Sequence, residues 1–247
     1  IHTGSRGFGH QVGEDYMREA KKRNAARSPS PHLCFLDVDS EEGKNYIGAM
    51  YAAANFAFVN RQILTAFVRS AVRHIFGSDI HLPSLYDVPH NMAKKEHHFG
   101  ESLWVHRKGA TRAFPPSRMQ ATPYADVGQP VLIPGSMGTA SYVLVGTEES
   151  AESLHSVNHG AGRVMSRSAA IGRYRKSGKK GRREAQISDE EFDEAMEGIL
   201  LVCEDKRSIK EEAPMAYKDI DEVVRVVTGA GLAKAVARMV PLAVLKG

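Results

Sequence analysis

The sequence predicts a fold of mixed α and β content, on three observations. Apolar residues at helical spacing run from Ile47 to Phe76 and indicate one long amphipathic helix. β-branched runs flank a glycine-rich turn within residues 128–145 and predict two strands. Ser188 and Glu191 have the spacing of a capping box, which predicts a further helix reaching Ile199. With 247 residues, 42% of them hydrophobic, the chain can bury a sizeable core.

The N-terminal third is predicted to be helical. Residues 1–11 are punctuated by glycine and predict a loop that leads into a helix over residues 12–22. An acidic turn at residues 37–42 predicts the cap of the long helix, and this interpretation is favoured over a metal site at the same aspartates. Within the long helix, polar residues interrupt the apolar side, and these could face a site or be structural. They are Asn55, Asn60 and Arg61.

The middle of the chain predicts short strands. Residues 85–88 predict a strand that Pro89 ends, with His90 and Asn91 opening a loop or lying at a helix end. Residues 103–106 predict another strand.

Towards the C-terminus, the pattern predicts a helix followed by a strand. Asp219 or Asp221 is expected to cap a helix that continues to Val227 and ends at the following glycines. Residues 233–246 predict a final strand.

The composition indicates a globular, mildly basic protein. The net charge is +4 and the pI is about 9.0, so clustering of the cations decides whether nucleic acid is a plausible partner. Cys34 and Cys203 lack a CxxC spacing, which predicts no disulfide framework or zinc knuckle and favours a reducing, cytoplasmic setting. Both are expected to pack as small apolar side chains. No run approaches the roughly 20 apolar residues of a membrane span, so no membrane partner is expected.

Residues 156–163 place one histidine among small residues and ahead of an arginine. Gly160 and Gly162 follow His159, and their backbone can take positive φ values and bring N–H groups close to an anion. Arg163 adds a planar guanidinium that matches phosphate oxygens two at a time. The segment predicts a histidine that meets a phosphate, whereas a single histidine of this kind is more often a core or loop residue.

The turn between the two predicted strands carries further phosphate-binding groups. Residues 134–138 would bend the backbone into a concave array of N–H donors. Neither a Walker loop nor a dinucleotide fingerprint is present, and an ordinary hairpin fits the stretch equally well. The hydroxyl groups offered to phosphate oxygens are those of Ser136, Thr139 and Ser141.

Two clusters of cations are candidates for phosphate contacts. Residues 107–112 hold three cations around Gly109 and could form a solvated surface or a phosphate-binding turn. The most basic stretch follows His159, and it could be a surface loop or could contact a nucleic-acid backbone. Its members are Arg163, Arg167, Arg173, Arg175, Lys176, Lys179, Lys180, Arg182 and Arg183.

Together these segments resemble the RtcB family of RNA ligases over nearly the whole chain. The motifs that carry the resemblance, in the family's order, are residues 2–7, 55–57 with 60–62, 86–91, 105–112, 134–139, 156–163 and 241–247. So many long motifs in one order exclude chance convergence as a serious alternative. The resemblance implies an α/β (α+β) fold with mixed β-sheets and flanking helices. It makes residues 1–247 the C-terminal portion of a single catalytic domain whose N-terminal part is missing.

The resemblance implies an activity and its cofactors. Members of this family join an RNA 3′-phosphate or 2′,3′-cyclic phosphate end to a 5′-hydroxyl end, in tRNA splicing or RNA repair, and depend on GTP and manganese. The histidine matching His159 attacks the α-phosphate of GTP and becomes guanylylated. The RNA 3′-phosphate then accepts GMP, which the 5′-hydroxyl displaces. A neutral imidazole is nucleophilic near neutral pH and suits this role.

The resemblance also implies roles for other residues. His2 and His90 match ligands of manganese, for which imidazole is suitable, with two Mn2+ ions in the complete enzyme. Tyr217 is expected to stack near the guanine, and Lys246 matches a guanine-site residue. The other expected nucleotide contacts are His90, Asn91, Pro134, Gly135, Ser136, Met137, Ser141, Gly160, Ala161 and Gly162. The expected contacts with RNA phosphates are Arg6, Lys108, Arg163 and Arg167.

The remaining histidines receive no catalytic assignment. His155, just outside the matched motif, is expected to be exposed. A structural or supporting role is expected for His10, His97, His98 and His106.

The chain departs from the family pattern in its metal ligands. Family members also use an aspartate, a cysteine and a histidine in an Asn-His-Phe-type segment, all upstream of the matched region, and nothing in this chain replaces them. Because the chain also begins at Ile1 rather than Met, a truncated chain that is inactive in isolation is expected.

Two other classes of function remain open. One is a catalytically dead RNA-binding module, and the other is a metal-dependent phosphoesterase acting on RNA ends. RNA is the expected partner, with tRNA halves as one candidate. Some relatives use an activating protein of the archease type, and the sequence leaves open whether this protein needs one.

Overall fold

A computed structural model describes residues 1–172, 185–205 and 208–246. The chain divides into two compact units, Ile1–Met92 and Ala93–Gly247. Helices and several small sheets of mixed type confirm the predicted fold class. Among the described residues, no helix combines the length and apolar character needed to cross a lipid bilayer.

The first unit is built on two helices that pack against each other, α1 (Gly7–Asn24) and α2 (Glu41–Phe76). Both helices were predicted, although α1 begins five residues earlier than expected. The acidic turn does precede α2, but the capping side chain is Ser40, whose Oγ accepts from the N–H of Gly43 at 3.0 Å. Glu41 and Glu42 follow in the first turn, where the helix dipole favours negative charge.

The strand predicted at residues 85–88 is wrong, because residues 81–89 form no strand. Side chains of α2 hold this segment instead. Arg69 donates to the Leu82 carbonyl at 2.8 Å, and Arg61 donates to the Asp87 carboxylate at 2.6 Å. A segment whose hydrogen bonds go to side chains needs no neighbouring strand.

The second unit contains most of the β-structure. The strands of the described residues are β1 (Asn91–His98), β2 (Glu101–Lys108), β3 (Ala110–Arg112), β4 (Pro130–Ile133), β5 (Ser141–Gly146), β6 (Ser156–Asn158), β7 (Leu200–Cys203), β8 (Ala233–Met239) and β9 (Ala243–Lys246). The α-helices among the described residues of this unit are α3 (Arg167–Ile171), α4 (Asp189–Ala195) and α5 (Ile220–Gly229).

The sheets are small and of both types. β4, β5 and β8 form an antiparallel sheet with β5 in the centre, and β3 pairs antiparallel with β6. β1 pairs with β2, and β7 pairs parallel with β9. The predicted strands on either side of the glycine turn are therefore confirmed. The final strand predicted over residues 233–246 is instead two strands, and the break contains Pro241, which cannot donate to a ladder.

Two apolar cores lie in the second unit. In the first, Leu144 of the three-stranded sheet is fully buried among residues that include Val224 of α5. The second core surrounds Phe192 of α4 and includes the side chain of Met137. Cys203 packs against this core, as expected for a small apolar side chain, and both Cys203 and Cys34 of the first unit are partly buried.

Side-chain caps fix the helices beside these cores. Ser188 and Glu191 form the predicted capping box of α4, but the helix ends at Ala195, before Ile199. Asp219 is the cap of α5, where it accepts from the N–H groups of Asp221 and Glu222.

Candidate nucleotide and metal site

The first unit brings together the two predicted metal ligands. The Nε2 atoms of His2 and His90 lie 3.2 Å apart. Burial lowers the pKa of His90, and the positive charges of His2 and Arg61 lower it further, against the opposing effect of a hydrogen bond with Asn91. His90 is therefore neutral near pH 7, the state in which an imidazole binds a metal. Two nitrogen donors at this separation fit a transition-metal ion such as Mn2+.

Residues of α2 position the two segments that carry these histidines. Asn60 donates to the Gly4 carbonyl at 2.9 Å. Arg61 donates to the Thr3 carbonyl at 3.2 Å and to Asp87 at 2.6 Å, so one guanidinium ties both segments to the helix. The sequence left a structural role or a site role open for Asn60 and Arg61, and their observed contacts are structural ones that support the histidine pair.

In the second unit, hydrogen bonds fix the backbone around His159. The residue directly follows β6, and its N–H donates to the Gly109 carbonyl at 2.9 Å. The Asn158 side chain donates to the Gly160 carbonyl at 2.9 Å. Gly162 has a φ of 78°, a left-handed conformation that glycine adopts without strain. The imidazole is partly buried at the end of a short, well-anchored strand.

The glycine turn lies against the His159 segment. A Cβ atom on Gly160 would lie 3.5 Å from the Pro134 carbonyl oxygen, an ordinary contact distance. The turn itself is tight, because a Cβ atom on Gly135 would lie 2.0 Å from the Ala140 carbonyl oxygen. The two predicted phosphate-binding stretches are therefore neighbours in space.

The hydroxyl groups of the turn hold its own backbone. Ser141 accepts from the N–H of Gly135 at 3.2 Å, and Thr139 accepts from the N–H of Ser136 at 2.7 Å. Two N–H groups that were expected to face an anion are thus already occupied. The side chain of Met137 is 5% exposed, so any nucleotide contact of this residue falls to its backbone.

Arg163, Tyr217 and Glu212 form a connected group next to the His159 segment. The Arg163 guanidinium donates to the Tyr217 hydroxyl at 3.0 Å, and its central carbon lies 4.9 Å from the centroid of that ring. The Tyr217 hydroxyl donates to Glu212. Burial and then the Glu212 carboxylate raise the pKa of Tyr217, which keeps the hydroxyl protonated. Arg167 is exposed and also lies beside Glu212, at 3.4 Å.

The roles of the other predicted site residues remain predictions. Arg6 is exposed and precedes α1, and Lys108 is exposed at the end of β2. Asn91 is the first residue of β1. Lys246 is exposed at the end of β9, opposite Cys203. Ala161 is buried in the first core. The cations at Arg173, Arg175, Lys176, Lys179, Lys180, Arg182 and Arg183 lie outside the described residues.

Arg107 departs from both interpretations of residues 107–112, which were a solvated surface and a phosphate-binding turn. Its side chain is buried and donates to both carboxylate oxygens of Glu96, at 2.8 and 2.9 Å. His98 contacts the same carboxylate at 2.9 Å, which gives it the supporting role expected of it. Glu96 was not among the predicted site residues, although the alternation of Lys94, Glu96 and His98 along one strand was a visible signal.

His155 is a second correction. It was expected to be exposed but is 7% exposed, and its Nδ1 lies 2.6 Å from the Ser150 hydroxyl. Its ring also packs edge-on against Phe114, which accounts for its burial. His10, His97 and His106 are exposed, and their roles remain predictions.

Known proteins resemble the whole of this chain. The family model described as tRNA-splicing ligase RtcB matches residues 1–247. Proteins named tRNA-splicing ligase RtcB are 49% identical in Pyrococcus furiosus, 48% in Thermococcus kodakarensis and 41% in Methanococcus maripaludis, each over 100% of this chain. The chain spans 26% of the first of these relatives and 52% of each of the other two.

Proposed function

The chain belongs to the RtcB family, and on this premise we propose that it forms part of an RNA ligase that uses GTP and manganese. The enzyme would join RNA 3′-phosphate or 2′,3′-cyclic phosphate ends to 5′-hydroxyl ends in tRNA splicing or RNA repair. The observation that best supports the proposal is the anchored His159 segment, which lies against the glycine turn through Gly160 and Pro134.

His159 is the proposed nucleophile of the first step. A ring nitrogen attacks the α-phosphorus of GTP, a P–N bond forms, the P–O bond to the β-phosphate breaks, and pyrophosphate leaves. The glycines after His159 let the backbone approach the phosphate closely. Nucleotide contacts are proposed for the glycine turn, Tyr217 and Lys246.

The RNA ends react in the next two steps. An oxygen of the RNA 3′-phosphate attacks the phosphorus on His159, the P–N bond breaks, and GMP is transferred to the RNA. The 5′-hydroxyl oxygen then attacks the RNA phosphorus, loses its proton to solvent, and GMP leaves. Arg163 and Arg167, together with Arg6 and Lys108, are proposed to hold RNA phosphates, since guanidinium and ammonium groups bind phosphate oxygens.

His2 and His90 are the proposed manganese ligands of this chain. Mn2+ held by these histidines would neutralise negative charge on the triphosphate and on the reacting phosphates. The neutral state of His90 and the 3.2 Å separation of the two ring nitrogens support this assignment. We place the aspartate, cysteine and histidine ligands implied by the resemblance outside these 247 residues. A cytoplasmic location and an activating partner of the archease type are parts of the same proposal.

The decisive experiment is covalent labelling with GTP. Full-length protein is incubated with Mn2+ and GTP labelled on the α-phosphate, and the expected product carries an acid-labile, alkali-stable label. His159→Ala should abolish the label, whereas His97→Ala, a change at an exposed histidine of β1, should retain it. Absence of label from the unaltered protein would favour the RNA-binding module. Release of phosphate from RNA ends without GTP would favour the phosphoesterase.

A further inference from the structure

One face of β1 carries a cluster of cations around a single carboxylate. Lys94, Glu96 and His98 alternate along the strand and share this face. The guanidinium groups of Arg107 and Arg112 lie 2.8 and 3.8 Å from the same Glu96 oxygen. Among the described residues, the cluster therefore contains several positive groups and one carboxylate.

Glu96 is already neutralised by its closest partners. Its side chain is 3% exposed, and both of its oxygens accept hydrogen bonds from Arg107. His98 lies 2.9 Å from one of these oxygens. The single negative charge is thus matched by the buried Arg107, and the other cations of the cluster have no equivalent counter-ion there.

Three partly buried cations remain, namely Lys94, Arg112 and Arg118. The central guanidinium carbons of Arg112 and Arg118 lie 4.2 and 3.8 Å from the centroid of the Phe114 ring, so they are at most 8.0 Å apart. Among the described residues, neither Lys94 nor Arg118 forms an ion pair with a carboxylate. The ring of Phe114 holds the two guanidinium groups in place through cation–π contacts.

The uncompensated charge is costly to the protein. The pKa of Lys94 is lowered to about 8, mainly by burial and then by the charges of Arg112 and Arg107, against the opposing effect of Glu96. Burial also lowers the pKa of Arg118, and the charges of Arg112 and Arg107 act in the same direction against the opposing effect of Glu96. A bound anion would remove this penalty, because it would supply the missing counter-charge.

We propose that Lys94, Arg112 and Arg118 form a binding site for one phosphate group, supplied by inorganic phosphate or by an RNA backbone. A phosphate offers enough oxygens for two guanidinium groups and one ammonium group. Arg112 of β3 pairs with Ser156 of β6, three residues before His159, which is roughly 10 Å along the strand. The RNA source rests on the proposed function, whereas the inorganic source does not.

The first test measures the binding of inorganic phosphate. Calorimetric titration of the protein with phosphate, at constant ionic strength in chloride, should show binding that weakens about ten-fold or more in Lys94→Gln, since this variant loses one charge-assisted hydrogen bond to the anion. Lys95→Gln is the matched control, because Lys95 is the exposed neighbour on β1. Arg118→Gln provides a second variant, and circular dichroism checks that each variant is folded.

The second test measures the binding of RNA that has hydroxyl groups at both ends, so that no ligation takes place. The logarithm of the RNA association constant falls linearly with the logarithm of the salt concentration. The magnitude of this slope should be smaller by about 0.7 in Lys94→Gln, as expected for one lost phosphate contact with a single strand. It should not change in Lys95→Gln.

The outcomes separate the two sources. A reduced slope in Lys94→Gln but not in Lys95→Gln identifies an RNA phosphate, and phosphate binding that weakens in Lys94→Gln with an unchanged slope identifies inorganic phosphate. If unaltered protein binds neither, or if Lys94→Gln and Lys95→Gln give the same phosphate affinity and the same slope, the proposal is overturned. Labelling of His159 in unaltered protein, measured without RNA, shows separately whether the proposed function fails.

Discussion

At the level of single residues, the Glu96 carboxylate is the most consequential group that the sequence analysis missed. Glu96→Ala would leave the buried Arg107 guanidinium without its bidentate partner. We expect a loss of about 3–5 kcal/mol in the free energy of unfolding, the usual cost of an uncompensated buried charge. Urea denaturation at pH 7 measures it. Glu101→Ala, at an exposed position of β2, should change stability by less than about 0.5 kcal/mol, and an equal loss in both variants would contradict the argument.

The same carboxylate predicts a pH dependence. Burial alone would raise the pKa of Glu96, but hydrogen bonds from Arg107 and His98 and the nearby positive charges outweigh burial and lower it. A carboxylate with a lowered pKa stabilises the folded state above its unfolded value of 4.5, and this contribution is lost as the pH falls through the folded value. Glu96→Gln should therefore flatten the decline of stability below about pH 4.5. Unfolding free energies measured from pH 7 to pH 3 test this, and parallel curves for the two proteins would refute it.

Predictions for single residues were correct where the conformation depends on neighbours in sequence, and they were wrong where burial depends on residues from other elements. The positive φ of Gly162 follows from its local composition, and the structure shows it. Burial of Arg107 depends on Glu96, which is eleven residues away on another strand, and no local pattern specifies that pairing. His155 is buried because it packs beside Phe114, whose position depends on the fold of the second unit.

At the level of elements, α2 contains two glycines with opposite roles. A Cβ atom on Gly43 would lie 2.0 Å from the Asp37 carbonyl oxygen, whereas nothing lies within 4 Å of one on Gly48. Gly48→Ala should stabilise the protein by about 0.5–1 kcal/mol, because alanine loses less backbone entropy in a helix. Gly43→Ala should destabilise it by displacing the turn before α2. Thermal unfolding monitored by circular dichroism compares the stabilities of the two variants. If both substitutions stabilised the protein, the turn before α2 would be able to move away from the added methyl group, contrary to this prediction.

Elements with local sequence features, such as helical spacing or a capping box, were predicted better than elements whose formation depends on contacts with distant segments. The helical spacing of α2 and the capping box of α4 are local features, and both elements exist. Residues 85–88 have the composition of a strand, but their segment is held by arginines of α2. β8 and β9 were merged because a single apolar pattern spans both, although they belong to different sheets.

At the level of the whole molecule, the order of the motifs carried information that local patterns lacked. It predicted membership of the family, which the match over residues 1–247 confirms. It also selected His2 and His90, which are 88 positions apart in sequence and whose ring nitrogens lie within 3.2 Å of each other. Motif order did not reveal the carboxylates that accompany the predicted cations, such as Glu212 beside Arg163 and Arg167. Those pairings depend on how distant segments fold together.

The proposed reaction has a nucleotide step and RNA steps, and different residues should control each. Lys246→Ala should slow the attachment of GMP to His159, because the lost ammonium group is the one assigned to guanine. Arg167→Ala should slow the joining of RNA ends about ten-fold or more when the reaction starts from protein that already carries GMP. It should have a smaller effect on the rate at which GMP is attached to His159. Arg167 is 68% exposed, and its contacts with Glu211 and Glu212 are surface ion pairs that contribute about 0–1 kcal/mol, so the fold should tolerate its loss.

Separate rate measurements distinguish these two roles. Attachment is followed with labelled GTP in the absence of RNA, and joining is followed in a single turnover that starts from guanylylated protein. Lys234→Ala is the control, because Lys234 is an exposed lysine of β8 without an assigned role. Arg167→Lys should recover part of the joining rate if charge is the main requirement, since lysine keeps the charge but not the planar fork. Attachment rates for Lys246→Ala equal to those of the unaltered protein would remove Lys246 from the nucleotide site.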